Sequence, residues 1–165
     1  MTVRPFVMWP DKRLRSVVPE VAEITPEIRQ IWDDMIETMD AMPGVGLAAP
    51  QIGVMLQLAV VDASAERNSR ILVANPTILT ASNEMNSYDE ASPNLPNMPA
   101  SIRRPKEVTV RFLNKDGVIT RRDFDGLEAT SIQHQIDHLN GRMYFDNLGR
   151  VKRDMLLRKA RKQRS

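Results

Sequence analysis

The strand-like segments of this chain are bunched in its middle, with helix signals on either side of them. That distribution constrains the fold more than any other feature. Residues 56–62 and 70–79 read as strands, with Pro76 pushing part of the second toward a sheet edge. Val108, Val110 and Phe112 then alternate with Thr109 and Arg111, Asn114-Lys115-Asp116-Gly117 supplies a turn, and residues 118–124 return as the second arm of a hairpin. Parallel strands need long crossovers, usually helical, and these strands do not alternate with helices. A doubly wound parallel sheet is therefore disfavoured, and the pattern predicts an α+β fold with antiparallel or mixed sheets.

The flanking helices carry their own signals. Thr25-Pro26 is an N-cap followed by proline at the first helical position. Ile28, Ile31, Trp32, Met35, Ile36 and Met39 follow at helical spacing, and Pro43-Gly44 ends the run. A second helix is predicted over 127–140, stopped by Gly141, and a third around 155–161. Residues 81–105, punctuated by Pro93, Pro96, Pro99 and Pro105, read as a loop with short extended pieces.

At 165 residues and 42% hydrophobic content, the chain suits one globular domain spanning 1–165 with a real core. Its apolar runs are only a few residues long, which argues against a bilayer-spanning segment, and its start, without a continuous apolar stretch ending in small residues, does not read as a secretory signal. It contains no cysteine, so disulfides and thiolate metal ligands are excluded, in keeping with a cytoplasmic protein. The net charge of +2 conceals an asymmetry, because residues 150–165 hold eight basic residues and one acid. This basic C-terminal tail reads either as a solvated helix or as a contact for an acidic partner such as ribosomal RNA. No aromatic residue lies among its charges to stack on bases.

The chain's only two histidines, His134 and His138, stand four apart on the second predicted helix. That spacing puts both imidazoles on one helical face, where they can converge on a metal ion. Leu127 and Ser131 precede them on the same stripe, which places the pair at the base of a pocket. A second stretch, GVGLAAPQ at 44–51, offers close backbone approach at Gly44 and Gly46 and a side-chain amide at Gln51. It lacks the lysine and threonine of a P-loop.

Taken in order, these stretches resemble the peptide deformylases. Gly44, Gly46, Ala48, Ala49 and Gln51 match the family's G-x-G-x-A-A-x-Q motif, and Gln133, His134, Asp137 and His138 match Q-H-E-x-D-H. Residues 9–15 and 104–110 match further family segments, so the resemblance covers nearly the whole chain. It implies a central motif-bearing helix among the sheets. It also implies hydrolysis of the N-formyl group from formyl-Met of nascent peptides by a divalent metal, commonly iron or zinc. Val45, Leu127 and Thr130 match positions that shape the methionine pocket, Gly46 lies in the same wall, and Glu90 and Arg104 match a pair beside the metal. The family's C-terminal helix is known to reach the ribosome.

Three positions depart from the pattern. Aligning Glu90 and Pro96 with the motif E-G-C-L-S-x-P puts Ser92 at the metal-binding cysteine, and a neutral hydroxyl is a poor ligand beside a thiolate. Pro93 replaces a leucine whose backbone N–H is implied to bind the formyl oxygen, and proline has no N–H. Gln135 replaces the general-base glutamate, and an amide cannot relay a proton. The expectation is a deformylase-like protein that is inactive or strongly impaired, with metal absent or weakly bound at His134, His138 and Ser92. One alternative is an active metal hydrolase of altered substrate or mechanism, using Asp137 or Glu90 as a replacement base. Another is a non-catalytic module binding an N-terminal peptide, formyl-Met-like, or the ribosome.

Overall fold

The computed structural model describes residues 2–164. Three helices, α1 (Pro26–Ala41), α2 (Gly126–Leu139) and α3 (Arg150–Arg164), accompany seven strands. These are β1 (Gly46–Ala48), β2 (Leu58–Val61), β3 (Ile71–Ala81), β4 (Met85–Ser92), β5 (Leu95–Pro105), β6 (Glu107–Leu113) and β7 (Ile119–Asp125). Strands β1-β2-β3-β6-β7 form one sheet and β4-β5 a separate ribbon, with every pairing antiparallel. The architecture is α+β, as the clustering of strands predicts.

The large sheet lies between α1 and α2, and β2 shows why. Its Leu58 and Val60 face a cluster with Trp32, Met35 and Met39 of α1. The alternate residues Ala59 and Val61 face a second cluster with Ala129, Ile132 and Ile136 of α2. A strand buried on both faces must be apolar throughout, and LAVV is. The hairpin arm β6 contributes Val108, Val110 and Phe112 to the second cluster while Thr109 and Arg111 point away.

Helix α1 begins as expected: the Thr25 hydroxyl accepts from the Ile28 N–H at 3.2 Å. Helix α2 ends at Leu139, and Gly141 follows at φ 72°, where a Cβ would lie 2.6 Å from the Arg15 carbonyl oxygen. Only glycine fits that turn.

Two expectations need correction. Residues 81–105 are not a loop but the long hairpin of β4 and β5. In a two-stranded ribbon each strand has a free edge, so Pro96, Pro99 and Pro105 are accommodated where a central strand would reject them. Helix α3 is also longer than residues 155–161, running from Arg150 to Arg164. Its first turn is exposed and charged, so no apolar period marks it. Pro76 falls at a register shift between Ala74 and Thr77, next to Asn75 at φ 52°.

The ribbon packs on a third cluster, in which Leu95, Met98 and Ile102 meet Tyr144, Phe145 and Ala160. This brings the end of β4 and the start of β5 against α2 and the turn after β1. The site forms there.

Candidate active site

A cleft opens between β1, the β4–β5 ribbon and α2. Val45, Gly46, Gln51, Pro93, Leu127, Thr130, His134 and Gln135 all line it. Residues more than eighty positions apart in sequence thus converge on one cleft. Ser92 and His138 are not at its surface; they lie behind it, 3% and 1% exposed. Gly46 is essential to the closeness of the walls, since a Cβ there would sit 2.4 Å from both Gln135 Nε2 and Ser131 Oγ. The Ser131 hydroxyl donates to the Val45 carbonyl at 2.9 Å and ties α2 to the residue preceding β1.

On α2 the two imidazoles meet each other. His134 Nε2 and His138 Nε2 are 3.1 Å apart. His134 Nδ1 lies 2.9 Å from Glu90 Oε1. The Arg104 guanidinium grips both oxygens of Glu90, at 2.7 and 2.9 Å, and reaches Asp137 Oδ2 at 2.9 Å. Burial is the largest influence on Glu90 and pushes its pKa up, but the hydrogen bonds from His134 and Arg104 and their charges outweigh it. The net direction is down, so Glu90 is a carboxylate and His134 Nδ1 is the donor toward it. Burial, followed by the charges of His134 and Arg104, holds the His138 pKa well below the usual imidazole range. Tyr144 stacks on His134 with ring centroids 6.1 Å apart and planes 10° from parallel, and its hydroxyl donates to the Met98 carbonyl. Burial pushes that phenol's pKa up, so it stays protonated.

Glu90 and Asp137 therefore both spend their charge on one buried arginine. Neither is a free base facing the cleft.

Ser92 is held in a network of its own. Its hydroxyl donates to Asn94 Oδ1 at 2.9 Å and accepts from the Asn94 N–H and from Gln51 Nε2, both at 3.3 Å. Gln51 Nε2 also donates to Asn94 Oδ1 at 2.7 Å, while Gln51 Oε1 accepts from the Ala48 N–H at 2.9 Å. Asn94 Nδ2 donates to the carbonyls of Val7 and Gln51. Asn94 is fully buried and central to this arrangement, yet sequence reasoning passed over it. Its only signal was its place between Pro93 and Pro96 in the aligned motif. Tyr88 and Asp89, which also line the cleft, were hidden by reading their strand as loop.

A metal is tested against these residues as follows. Two imidazole ligands on a tetrahedral ion, each ~2.0–2.1 Å from it, stand roughly 3.3 Å apart, so the 3.1 Å spacing is close to suitable. The donor set is not. Among the described residues no three His, Cys, Asp or Glu side chains gather in a metal-holding group. The Ser92 hydroxyl has its proton and lone pairs engaged with Gln51 and Asn94. Binding through both Nε2 atoms would also move the His138 proton to Nδ1, which is buried without a hydrogen-bond partner. A metal-ligating histidine normally donates its other N–H to an acceptor. In the metal-free tautomer His138 Nε2–H donates to His134 Nε2, and His138 Nδ1 is left an unpartnered acceptor rather than an unpartnered donor. These residues do not fit a tightly held metal.

The polypeptide deformylase family model matches residues 3–154. The chain belongs to the peptide deformylase family. It is 43% identical over 167 aligned positions to a peptide deformylase of Rhodopseudomonas palustris, covering 98% of this chain and 95% of that one. It is 42% identical to one from Bartonella henselae, covering 99% and 94%. Among solved structures it resembles a peptide deformylase from Legionella pneumophila, with TM-score 0.91, 34% identity and coverage of 99% and 96%. It also resembles the Ehrlichia chaffeensis peptide deformylase in complex with actinonin, with TM-score 0.91, 34% identity and coverage of 99% and 98%. The peptide deformylase fold thus extends over nearly the whole chain, and no helix among the described residues is long and apolar enough to cross a membrane.

Proposed function

We propose that this member of the peptide deformylase family is catalytically impaired or inactive as a deformylase and keeps the capacity to bind a peptide N-terminus. The observation that carries this reading is the joint alteration of ligand, oxyanion donor and base at Ser92, Pro93 and Gln135. Loss of one oxyanion donor costs ~10²–10³ in turnover, and loss of a general base ~10²–10⁴. The two factors need not multiply, because residues acting as a unit are non-additive. The engaged Ser92 hydroxyl and the direct contact between His134 and His138 further support a weak or absent iron or zinc site.

An altered but active hydrolase is less well supported, since both replacement bases are committed to Arg104. Binding is supported by the intact cleft, whose Val45 and Leu127 walls accept an apolar side chain and whose Thr130 adds a hydroxyl. The setting we assign is cytoplasmic, and the basic helix α3 is a second docking element for ribosomal RNA.

The deciding experiment is a sensitive deformylation assay on a formyl-Met peptide, with iron, nickel, cobalt or zinc supplied. Turnover several orders of magnitude below that of the Legionella or Ehrlichia relatives is expected. Turnover equal to theirs refutes the reading.

A further inference from the structure

We propose that the cleft reads the first side chain of a peptide through a neutral oxygen acceptor at its tip, taking N-terminal methionine sulfoxide in preference to methionine. This rests on the peptide-binding reading above and specifies which side chain the site takes.

Two hydroxyls in the cleft have nothing to bond. Thr130 and Tyr88 both line it. Neither hydroxyl has a hydrogen-bond partner among the described residues, and neither is sealed off from the cleft. Thr130 is only 5% exposed, so its hydroxyl is a polar atom set in a largely buried wall. An apolar tip pressed against that wall displaces water and returns no hydrogen bond, which is costly for a buried polar group. A tip that carries an acceptor replaces the lost water.

Their position assigns them to a side chain. Gly126, Thr130 and His134 stand four apart on α2 and so share one face of the helix. A Cβ on Gly126 would lie 3.8 Å from the Tyr88 hydroxyl, which therefore sits over the turn leading to Thr130. Thr130 is about 6 Å along the helix axis from His134. The hydroxyl pair thus marks the part of the cleft away from the histidines, on the stretch of wall that includes Leu127. An apolar stem with a polar tip suits that mixture. One turn further on, Gln135 Nε2 stands against Gly46 and faces the ligand's end group or backbone, so it does not discriminate between side chains.

Charge sets the kind of acceptor. Asp89 and Glu90 line the cleft, and no lysine or arginine does. Arg104 offsets Glu90 from behind, while exposed Asp89 leaves the entrance negative. An anionic tip is repelled there. Methionine sulfoxide keeps the unbranched methionine stem and makes its tip polar without adding charge.

The test uses the full chain as purified and peptides X-Ala-Ser-Lys with a fluorophore on the lysine, in which X is methionine, methionine sulfoxide, norleucine or glutamate. Each is made with a free and with a formylated amino terminus. Comparison within one terminus keeps an end-group oxygen from passing for a side-chain preference. Fluorescence anisotropy at neutral pH gives each dissociation constant. The sulfoxide peptide is expected to bind about fivefold tighter than the methionine and norleucine peptides, the discrimination of one neutral hydrogen bond. The glutamate peptide is expected to bind more weakly than the sulfoxide one. Thr130→Val keeps the shape of the side chain and removes its hydroxyl. Checked for folding by circular dichroism, it is expected to bring the sulfoxide and methionine peptides within roughly twofold by weakening the sulfoxide peptide alone. Tyr88→Phe, on a half-buried side chain, is expected to act in the same direction. Methionine binding as tightly as its sulfoxide to the unaltered chain overturns the inference and leaves peptide binding standing. So does a sulfoxide preference that persists when both hydroxyls are removed together. If no peptide binds in either series, peptide binding falls and the inference with it.

Discussion

Replacing Arg104 with methionine keeps most of its length and removes its charge. The residue is 5% exposed and makes two hydrogen bonds to Glu90 and one to Asp137. Without it, Glu90 remains buried with only His134 as partner. Breaking a buried ion pair by removing one partner costs about 3–5 kcal/mol. For 165 residues, an unfolding entropy of ~2.1 cal/mol/K per residue gives roughly 0.35 kcal/mol per degree, so Tm should fall by about 9–14 °C. The deficit should also depend on pH. In the parent chain the Glu90 pKa is lowered, so its contribution is present above the unfolded carboxylate pKa and lost as pH falls through the folded one. In Arg104→Met, burial, the largest influence on Glu90, is opposed by His134 alone, so that pKa is expected above the parent's and the variant to lose less stability as acid protonates Glu90. The two melting curves should therefore converge between about pH 7 and pH 4, as followed by circular dichroism in matched buffers. A Tm difference that stays constant across that window, or is under about 3 °C at pH 7, would refute the view that a buried charge pair holds the ribbon to α2.

Asn94→Ala should be as damaging as a core truncation, destabilising by roughly 2–4 kcal/mol in urea melts, because it strands the Val7 carbonyl and the Ser92 hydroxyl proton and leaves the Gln51 carbonyl with the Val7 N–H alone. Ser92→Cys should raise bound zinc or iron from well below one equivalent toward one, measured by elemental analysis; unchanged content would locate the defect elsewhere. Converting exposed Lys152, Arg158 and Lys159 to glutamine should weaken ribosome co-sedimentation and flatten its salt dependence, whereas identical pelleting would count against α3 as a contact. Charge substitution is the better probe than truncation, because Ala160, Leu156 and Leu157 of that helix pack into the third core cluster.

Most of the architecture was legible because the signals were periodic or capped. The alternation in β6, the Thr25-Pro26 start of α1 and the Gly141 stop of α2 each reflect a local rule that tertiary context did not override. The β4–β5 ribbon was not legible, because prolines that exclude a central strand are harmless at the free edges of an isolated pair. Edge status is a property of the assembled sheets, not of the segment. Within the site, Val45, Gly46, Gln51, Leu127, Thr130, His134 and Gln135 fall in the motif stretches, whereas Tyr88 and Asp89 do not. The engagement of Ser92 by Asn94, and of Glu90 and Asp137 by one arginine, was not legible, because a residue type does not disclose which neighbour has claimed its lone pairs.

Arg104 sits in the ribbon and reaches a carboxylate on its own hairpin and another on the histidine-bearing helix, so a covalently permanent cation already joins these two layers. An exchangeable ion is then unnecessary for assembly, and chelators should leave the folded population untouched. A scaffold whose seams are closed by its own side chains can lose its reaction centre without losing its shape.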